Sequence, residues 1–348
     1  MDIFREMQNG DHEKLVFCND NTSGLRAIID IHSTKLGPAI GGCRFLEYHS
    51  EDEAIKDVLR LSKAMTYKSA VSELAYGGGK AVIIKSNSCE DRDGILRAFG
   101  RFVESVNGRY ITTVDSGTSM ADMISIRSET RHVTGVPVEM GGLGDPSPIT
   151  ALGVVWGMKA CLIELYGNNS LKNKTVAIQG VGNVGYHLAL LLHKEDAKLI
   201  ASDVDAEKTR RLGSEIDVKI ISPEQICYQE VDILSPCALA NTVNEDIIPH
   251  FKCNIIAGGA NNQLSKEEDA DLLHQRGILY APDYVINAGG LIHVVAEYEG
   301  MKMENVYENI SKIYQRIRKI ISVSREKDIS TNRVTNSMVQ EKMNKLRE

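Results

Sequence analysis

The chain has 348 residues, of which 43% are hydrophobic and 25% are charged, the proportions of an ordinary globular protein. This length suits two domains, each with a substantial hydrophobic core. The formal net charge of −7 and the lack of any basic run argue against a nucleic-acid-binding surface.

Cysteine spacing and the first residues both favour a cytoplasmic location. The seven cysteines, at positions 18, 43, 89, 161, 227, 237 and 253, include no Cys-x-x-Cys pair, so we expect reduced and mostly buried thiols. The first residues are charged and lack an apolar signal core, and no apolar run approaches the roughly 18 residues of a membrane span. Histidine spacings typical of metal sites are missing from the sequence. We therefore predict no metal, no membrane and no nucleic-acid partner.

Strand and helix patterns alternate in the first part of the chain. Residues 25–32 have the apolar, β-branched composition of a strand. Ser50 and Glu53 form the capping-box pattern that begins a helix, and apolar residues then recur at helical spacing. A second amphipathic helix is predicted over 93–106 and a short strand over 109–113. The first part is therefore predicted to be of mixed α/β structure.

The segment 65–84 concentrates residues that could carry chemistry. It contains Lys68, Lys80, three consecutive glycines at 77–79 and an apolar strand predicted over 81–84. The glycines leave room for a ligand to approach the backbone, and the strand would anchor Lys80 on a rigid element. Because burial disfavours the charged form of a lysine, one lysine could hold an anion while the other acts as a base.

A flexible turn with a solvated lysine is the alternative interpretation of the same glycines. A phosphate-binding P-loop is excluded, because that motif requires Gly-x-x-x-x-Gly-Lys followed by Ser or Thr. Leu74 and Ala81 occupy the two decisive positions here. The segment alone leaves the turn and the ligand site open.

The second part of the chain follows a Gly/Pro-rich stretch at 141–148, the best hinge candidate by composition. A long apolar helix is predicted from 149 towards 166. From about Asn305 the pattern is polar-amphipathic helix, which we expect to pack onto an earlier domain. Between these helices, strands alternate with helical patterns, which is typical of a parallel sheet covered by helices. The strands are predicted at 174–180, 198–203, 231–236, 254–257 and 278–281.

A dinucleotide site is predicted where the first of these strands ends. The strand runs into Gly-x-Gly-x-x-Gly and then into a helix, which is the context that this fingerprint requires. The helix N-terminus offers free N–H groups to phosphates. Asp203 ends the next strand at the distance expected of a ribose-binding acid and favours NAD over NADP, although Lys208 or Arg210 could soften that preference. An ordinary turn-opening aspartate is the alternative. The predicted NAD-binding residues of this segment are Gly180, Val181, Gly182, Asn183, Val184, Gly185 and Asp203.

Seven motifs in a fixed order make the chain resemble a known family from about residue 10 to about residue 330. They are Leu-Gly-Pro-Ala-Ile-Gly-Gly-Cys-Arg at 36–44, the block 65–80, Thr-Thr-Val-Asp at 112–115, Asp-Pro-Ser-Pro-Ile-Thr at 145–150, Ser-Pro-Cys-Ala-Leu at 235–239, Ala-Asn-Asn-Gln-Leu at 260–264 and Ala-Pro-Asp-Tyr-Val-Ile-Asn-Ala-Gly-Gly at 281–290. With these motifs the chain resembles the glutamate/leucine/phenylalanine/valine dehydrogenases, and most closely the leucine-type members.

The resemblance implies an α/β fold of two domains. Residues 1–140 would form a substrate-binding and oligomerisation domain, with the C-terminal helices of about 305–348 packed back onto it. Residues 141–304 would form a Rossmann-type NAD-binding domain. The active site would lie in the cleft between the domains, and closure about the hinge would exclude water. A homo-oligomer, octamer or dimer, is also implied.

The resemblance also implies the reaction and the residues that carry it. The reaction is reversible oxidative deamination of an L-amino acid to a 2-oxo acid and ammonia, with NAD as hydride acceptor. Lys68 would hold the substrate carboxylate, Lys80 would be the general base that activates water, and Asp115 would exchange a proton with the substrate nitrogen. Further implied contacts to the substrate are Asn262, Gly41 and Gly42, and further contacts to the cofactor are Thr150, Cys237, Ala238 and Asn261.

The implied side-chain pocket is apolar and consists of Ile40, Thr113, Leu291 and Val294. No extra cation stands ready for a side-chain carboxylate, which argues against glutamate. Thr113 and Leu291 depart from the leucine-type pattern, and a single methylene in such a pocket is worth only about 1–3 kcal/mol. A branched-chain amino acid (leucine, valine or isoleucine) is the first choice, and phenylalanine or tryptophan is the alternative. A non-catalytic NAD-binding regulatory protein is the remaining alternative.

Overall fold

The computed structural model describes residues 1–85, 91–238 and 240–346, which fall into two compact units. The first unit consists of Met1–Asp145, His293–Met303 and the segment that begins at Glu341, and the second of Pro146–Ile292 and Glu304–Gln340. Cys89 and Leu239, the last residue of the predicted 235–239 motif, lie outside the described residues.

The first unit contains a mixed sheet with the strand order β1-β2-β4-β3-β5 among the described residues. The β1–β2 and β2–β4 pairs are antiparallel, whereas β3 is parallel to both β4 and β5. Its elements are α1 (Ile3–Gly10), β1 (Lys14–Asp20), β2 (Leu25–Ser33), β3 (Ala39–Leu46), α2 (Glu51–Val71), β4 (Gly77–Ile84), α3 (Arg92–Ser105), β5 (Tyr110–Val114) and α4 (Met120–Arg127).

Helix α2 begins where the capping pattern predicted it. The Ser50 side chain accepts a hydrogen bond from the Glu53 N–H, which satisfies one of the free donors of the first turn. The buried face of α2, with Ile55 and Val58, packs with Ile28 and Val82 of the sheet in one apolar cluster. The opposite side of the sheet packs against α3 through a larger cluster. Burial on both faces makes the central strands rigid supports for functional side chains.

The three glycines at 77–79 belong to β4, so the loop and the flexible turn suggested by the sequence were wrong. The approach of a ligand to their backbone stays a prediction. A Cβ on Gly77 would lie 1.8 Å from the Ser33 carbonyl oxygen, and one on Gly78 would lie 2.1 Å from the Thr66 backbone nitrogen. A Cβ on Gly79 would lie 2.7 Å from the Tyr110 ring. The absence of side chains therefore lets neighbouring elements pack closely against this central strand.

The second unit contains a wholly parallel sheet with the strand order β11-β10-β9-β6-β7-β8 in the described part of the chain. This confirms the predicted Rossmann-type fold. Its elements are α5 (Ser147–Tyr166), β6 (Thr175–Gln179), α6 (Asn183–Lys194), β7 (Lys198–Ser202), α7 (Ala206–Glu215), β8 (Lys219–Ile220), β9 (Glu230–Pro236), β10 (Lys252–Ile256), α8 (Glu268–Gln275), β11 (Leu279–Tyr280), α9 (Asp283–Ile286), α10 (Gly289–Tyr298), α11 (Met303–Lys327) and α12 (Thr331–Lys345), with α10 to α12 divided between the units.

Helix α5 is the one described helix that is long and apolar enough to cross a membrane, although the sequence predicted no such run. Its 18-residue window has a mean hydropathy of 1.4, and 61% of that window is buried within the protein. Buried core helices meet the same criterion, so the finding is weak evidence for a span. Gly157 of α5 packs against Ile286, where a Cβ would lie 2.4 Å from the Ile286 side chain.

The C-terminal helices divide differently from the prediction for about 305–348. Glu304–Gln340 belongs to the second unit, where Ile313 of α11 contacts Gly153 of α5. Only the segment from Glu341 belongs to the first unit, in which the Lys342 ammonium donates to the Ala70 carbonyl. The polar-amphipathic pattern identified the helices, but a pattern does not specify which apolar surface its buried face will meet.

Residues His293–Met303 also leave the predicted NAD-binding domain and join the first unit. The Thr134 hydroxyl donates to the Val294 carbonyl over 3.1 Å. The Glu297 carboxylate accepts from the backbone N–H groups of Gly135, Val136 and Leu143. The other boundary, between Asp145 and Pro146, lies within the Gly/Pro-rich stretch 141–148, and motion about that stretch stays a prediction.

Candidate active site and cofactor site

Lys80 and Asp115 form an ion pair on the sheet of the first unit. The Lys80 ammonium donates to Asp115 Oδ2. Lys80 extends from the central strand β4 and is only 4% exposed, whereas Asp115 directly follows β5. The structure thus brings together the two residues predicted to be catalytic.

Gly42 makes the approach of Asp115 possible. A Cβ on Gly42 would lie 2.7 Å from the Asp115 Cβ and 2.9 Å from its Oδ2. Gly42 and Thr113 are partners in the β3–β5 register, so the carboxylate passes over the place where a side chain would stand. Gly41 is constrained as well, because a Cβ there would lie 1.9 Å from the Gly79 carbonyl oxygen. Contacts of either glycine with a substrate stay a prediction.

Arg44 belongs to the motif 36–44, but the sequence indicated no role for it. It holds the other oxygen of the Asp115 carboxylate. Its Nε donates to Asp115 Oδ1 over 2.9 Å, and the Ser116 N–H donates to the same oxygen over 2.7 Å. Burial raises the pKa of Asp115, but the charges of Lys80 and Arg44 outweigh burial and hold the pKa well below its ordinary value. Asp115 is therefore a carboxylate in this arrangement.

Lys68 stands in the last turn of α2 and is half-buried. Thr66, two residues before Lys68 on the same helix, lies against Gly78 of β4. The close helix–strand packing that the glycines permit thus brings the helix of Lys68 onto the strand of Lys80. Its role as the holder of a substrate carboxylate stays a prediction.

Three of the four predicted pocket residues belong to the first unit. Ile40 is fully buried on β3 and pairs in register with Gly78 and Ile111. Thr113 is buried next to Gly135. A Cβ on Gly135 would lie 2.8 Å from the Thr113 hydroxyl oxygen. Val294 is held by its backbone carbonyl, as described above. Leu291, the fourth residue, is buried in the second unit; a shared substrate pocket stays a prediction.

The Gly-x-Gly-x-x-Gly segment of the second unit has the geometry of a dinucleotide loop. Gly180 has a φ of +97°, a conformation that favours glycine. Gly185 packs α6 onto the strand, because a Cβ there would lie 2.0 Å from the Gly180 carbonyl oxygen. Gly182 faces open space, with nothing within 4 Å of a Cβ, and it directly precedes α6. Asn183 and Val184 form the first turn of α6.

Asp203 lies beside this loop at the end of β7. Its Oδ2 accepts from the Val181 N–H over 2.7 Å, and its Oδ1 accepts from the Asp205 N–H over 2.9 Å. The carboxylate is half-buried, which leaves it able to accept from a ribose hydroxyl as well. The open space at Gly182, the free N–H groups of α6 and this carboxylate fit a dinucleotide.

Of the remaining predicted cofactor residues, Cys237 and Ala238 follow β9 and lie beside this loop, whereas Thr150 belongs to α5. Ala238 lies against Gly180, where a Cβ would lie 2.6 Å from the Ala238 Cβ. The Cys237 N–H donates to the Gln179 carbonyl, and burial raises the pKa of the Cys237 thiol, as expected of an unreactive cysteine. Thr150, in the first turn of α5, donates its hydroxyl to Pro146.

Asn287 is a polar residue that the sequence interpretation missed as an individual site residue. Its side-chain amide donates to the Asn261 side-chain oxygen over 2.9 Å. Its own oxygen is buried and has no hydrogen-bond partner among the described residues, as expected of an acceptor for a ligand donor. Asn262 has a φ of +53°, a strained conformation common at binding sites. Asn287 belongs to the motif 281–290, but the motif indicated no individual role for it, because the orphaned oxygen is a feature of packing.

Comparison with known proteins agrees with this geometry. The family described as Glu/Leu/Phe/Val dehydrogenase, dimerisation domain, matches residues 12–132, and the family described as Glutamate/Leucine/Phenylalanine/Valine dehydrogenase matches residues 141–207 and 202–346. A leucine dehydrogenase from Geobacillus stearothermophilus is 47% identical over 100% of this chain and 95% of its own. A phenylalanine dehydrogenase from Bacillus thermotolerans is 44% identical over 98% of this chain and 90% of its own.

A solved structure gives the same result for the fold. The crystal structure of L-tryptophan dehydrogenase from Nostoc punctiforme is similar with a TM-score of 0.85 at 40% identity, over 99% of both chains. Enzymes of this family generally depend on NAD or NADP, so the cofactor class is a nicotinamide dinucleotide. The predicted family is confirmed: the chain belongs to the glutamate/leucine/phenylalanine/valine dehydrogenases, which are amino-acid dehydrogenases acting on CH–NH2 groups.

Proposed function

We propose that this chain catalyses the NAD-dependent, reversible oxidative deamination of a branched-chain L-amino acid to the 2-oxo acid and ammonia. The observation that carries the proposal is the largely buried Lys80–Asp115 ion pair in a chain 47% identical over its full length to a leucine dehydrogenase. A non-catalytic regulatory protein would not need to retain a buried ion pair of this kind, since burying two charges is costly.

Three residues of the first unit have separate parts in this reaction. Lys68 binds the substrate carboxylate, because a lysine at a helix end is a compact positive charge on a mobile stem. NAD, when bound in the second unit, would supply the acceptor for the hydride of the substrate Cα. In its neutral amine form, Lys80 takes a proton from the water that attacks the resulting iminium carbon. Asp115, next to Lys80, receives and returns protons of the substrate nitrogen through its Oδ2.

The choice of NAD over NADP rests on Asp203. Its carboxylate would accept from the 2′-hydroxyl of an adenosine ribose and repel a 2′-phosphate. The two cations that could soften this preference pair with other carboxylates: Lys208 pairs with Asp205, and Arg210 pairs with Glu207. These contacts therefore give no support to a weakened preference for NAD over NADP.

An aromatic amino acid is the second candidate substrate. Thr113 and Leu291 differ from the residues of leucine-type relatives, and both are buried, so the pocket that they would line differs in volume and polarity. Relatives named phenylalanine and tryptophan dehydrogenase are 44% and 42% identical to the chain. One methylene changes selectivity in an apolar pocket by about 10- to 200-fold, which is enough to exchange the preferred substrate.

The test is formation of NADH, followed by absorbance at alkaline pH, with a panel of L-amino acids. We expect the highest kcat/KM with leucine, valine or isoleucine, much weaker signals with phenylalanine and tryptophan, and little with glutamate. A preference for an aromatic amino acid would select the second candidate. The absence of a signal with every amino acid would overturn the enzyme proposal.

A cytoplasmic homo-oligomer is part of the proposal. The match of residues 12–132 to a dimerisation domain supports self-association. Light scattering on the purified chain would distinguish a monomer, a dimer and an octamer, and a monomer at micromolar concentration would contradict this part.

A further inference from the structure

Arg44 joins the candidate catalytic pair to a second carboxylate. Its Nε donates to Asp115 Oδ1 and its Nη1 donates to Asp57 Oδ2 on α2, each over 2.9 Å. The guanidinium and both carboxylates are mostly buried, with side-chain exposures of 16–21%. An arginine fixed at two points in this way is held more rigidly than a lysine could be, because its donors form a planar fork.

The outer end of this arrangement is also held. The Tyr48 hydroxyl donates to Asp57 Oδ2 over 3.0 Å, and Arg60 Nη2 donates to Asp57 Oδ1 over 3.0 Å. The contact of Asp57 with Tyr48 contributes to raising the pKa of that phenol well above its ordinary value, after the larger effect of burial. Arg44 is thereby anchored by a carboxylate that the Tyr48 hydroxyl also holds, whereas the exposed Arg60 contacts only its outer oxygen.

The contacts of Asp115 leave one oxygen for chemistry. Oδ1 accepts from Arg44 and from the Ser116 N–H, whereas Oδ2 faces Lys80. Rotation of the carboxylate out of this plane would break both hydrogen bonds to Oδ1, the one from Arg44 and the one from the Ser116 N–H. Arg44 therefore fixes the plane of the carboxylate and leaves one oxygen to face Lys80.

Asp30 in the same sheet shows what happens to a buried carboxyl group that is bound by His12 and Ser62 instead of by a lysine and an arginine. Asp30 is the register partner of Lys80 in β2, and its Oδ2 contacts His12 and Ser62. Burial raises the pKa of Asp30 above its ordinary value despite those hydrogen bonds. The pKa of Asp115 is held in the opposite direction by Lys80 and Arg44. Burial alone would thus favour the protonated form of a carboxyl group at this sheet.

We propose that Arg44, anchored by Asp57, is a positioning residue of the deamination reaction, which fixes the plane of the Asp115 carboxylate so that one of its oxygens faces Lys80. This inference rests on the proposed function, since it names the support of the same catalytic pair. Arg44 does not itself meet the reacting atoms in this role. The groups that face Asp115 in this arrangement are Lys80 from β4, Arg44 from β3 and the Ser116 and Thr118 groups of its own loop.

The experiment compares Arg44→Gln, Arg44→Lys, Asp57→Asn and the control Arg60→Gln in the full chain. Removal of the Arg44 charge favours the protonated forms of the coupled Lys80–Asp115 pair. The acidic limb of the kcat/KM profile, which reports protonation of that pair, should therefore move to higher pH in Arg44→Gln. We expect kcat to fall about 10- to 100-fold, as for loss of a hydrogen bond between charged groups, with NADH affinity unchanged. Arg44→Lys should recover part of kcat, and Asp57→Asn should show a smaller shift in the same direction.

Arg60→Gln should match the wild type, because Arg60 is 53% exposed and touches only the far oxygen of Asp57. A wild-type pH profile and kcat in Arg44→Gln, with an active wild type, would overturn the role of Arg44 and leave the proposed function standing. If Arg44→Gln does not fold, a wild-type profile in both Arg44→Lys and Asp57→Asn has the same meaning. A wild-type chain that is inactive with every amino acid would instead overturn the proposed function.

Discussion

The glycines at 77–79 of the first unit and those at 180–185 of the second unit form similar clusters in the sequence but have different surroundings. Each of the first three faces backbone or a ring where a Cβ would stand, at 1.8–2.7 Å. In the other segment Gly180 and Gly185 are crowded in the same way, but nothing lies within 4 Å of a Cβ on Gly182. The glycines at 77–79 permit packing, and those at 180–185 combine packing with one open position.

The difference changes how the adjoining functional groups are understood. Lys80 owes its rigid position to the close packing of α2 on β4, since Gly78 meets the backbone of Thr66. The helix N-terminus after Gly182 instead has space in front of its N–H groups, as an anion site requires. A glycine run next to a lysine is thus no sign of ligand access unless the space beside it is known.

Lys80→Ala separates chemistry from cofactor binding and should have the largest effect. Loss of the proton acceptor should lower kcat by about 100- to 10,000-fold, the usual contribution of a general acid or base. The dinucleotide loop belongs to the second unit, so NADH affinity should stay within about twofold. Steady-state kinetics with NADH fluorescence titration measure the two quantities. A variant that keeps most of its kcat would show that Lys80 is not the base.

Gly78→Ala tests whether the first glycine run serves packing. The new methyl group would meet the Thr66 backbone nitrogen at 2.1 Å, and backbone cannot move aside as a flexible side chain can. We expect a loss of about 3 kcal/mol in the free energy of unfolding, the upper range for overpacking, measured by denaturant titration.

Gly213→Ala is the matched control for this change. It lies within α7, and nothing lies within 4 Å of a Cβ there. Alanine is the better helix former by about 1 kcal/mol, so this variant should be slightly stabilised. A Gly78→Ala variant as stable as the wild type would mean that the first glycine run is not needed for packing.

Lys68→Ala tests the other functional residue that depends on this packing. Removal of the lysine should raise the amino-acid KM about 10- to 100-fold, as expected for a lost hydrogen bond to a charged group, with a smaller change in kcat. The KM for NAD is the internal control and should not change. If the amino-acid KM is also unchanged, Lys68 does not hold the carboxylate.

Much of the fold followed from local patterns. The strand predicted over 25–32 is β2, the helix predicted over 93–106 is α3, and the parallel strands of the second unit appear at the predicted places, with the two-residue β8 as an addition. These elements are encoded in periodicity and in turn residues, which are local properties. The glycines at 77–79 were misinterpreted because their conformation is set by Ser33, Thr66 and Tyr110, which are distant in sequence.

The candidate site was predictable only where a motif names a residue. Lys80 and Asp115 came from motifs, and the structure places them in contact. Arg44 was present in a quoted motif, but its bridge between Asp57 and Asp115 depends on the alignment of β3 with α2 and β5. The orphaned oxygen of Asn287 likewise results from packing, which a single sequence does not reveal.

Gly182→Ala examines the open position of the glycine segment 180–185 and should have the smallest effect. Its φ of −72° suits alanine, and no neighbour obstructs a methyl group, so the thermal midpoint should change little. The methyl group would instead occupy the space that the dinucleotide phosphates need, which should raise the Kd for NADH about five- to tenfold, the low end of the cost of one misplaced methylene. Fluorescence titration and a thermal melt give both values. An unchanged Kd would mean that the cofactor does not approach the backbone at Gly182, whereas a large loss of stability would mean that the two glycine segments differ less than their surroundings indicate.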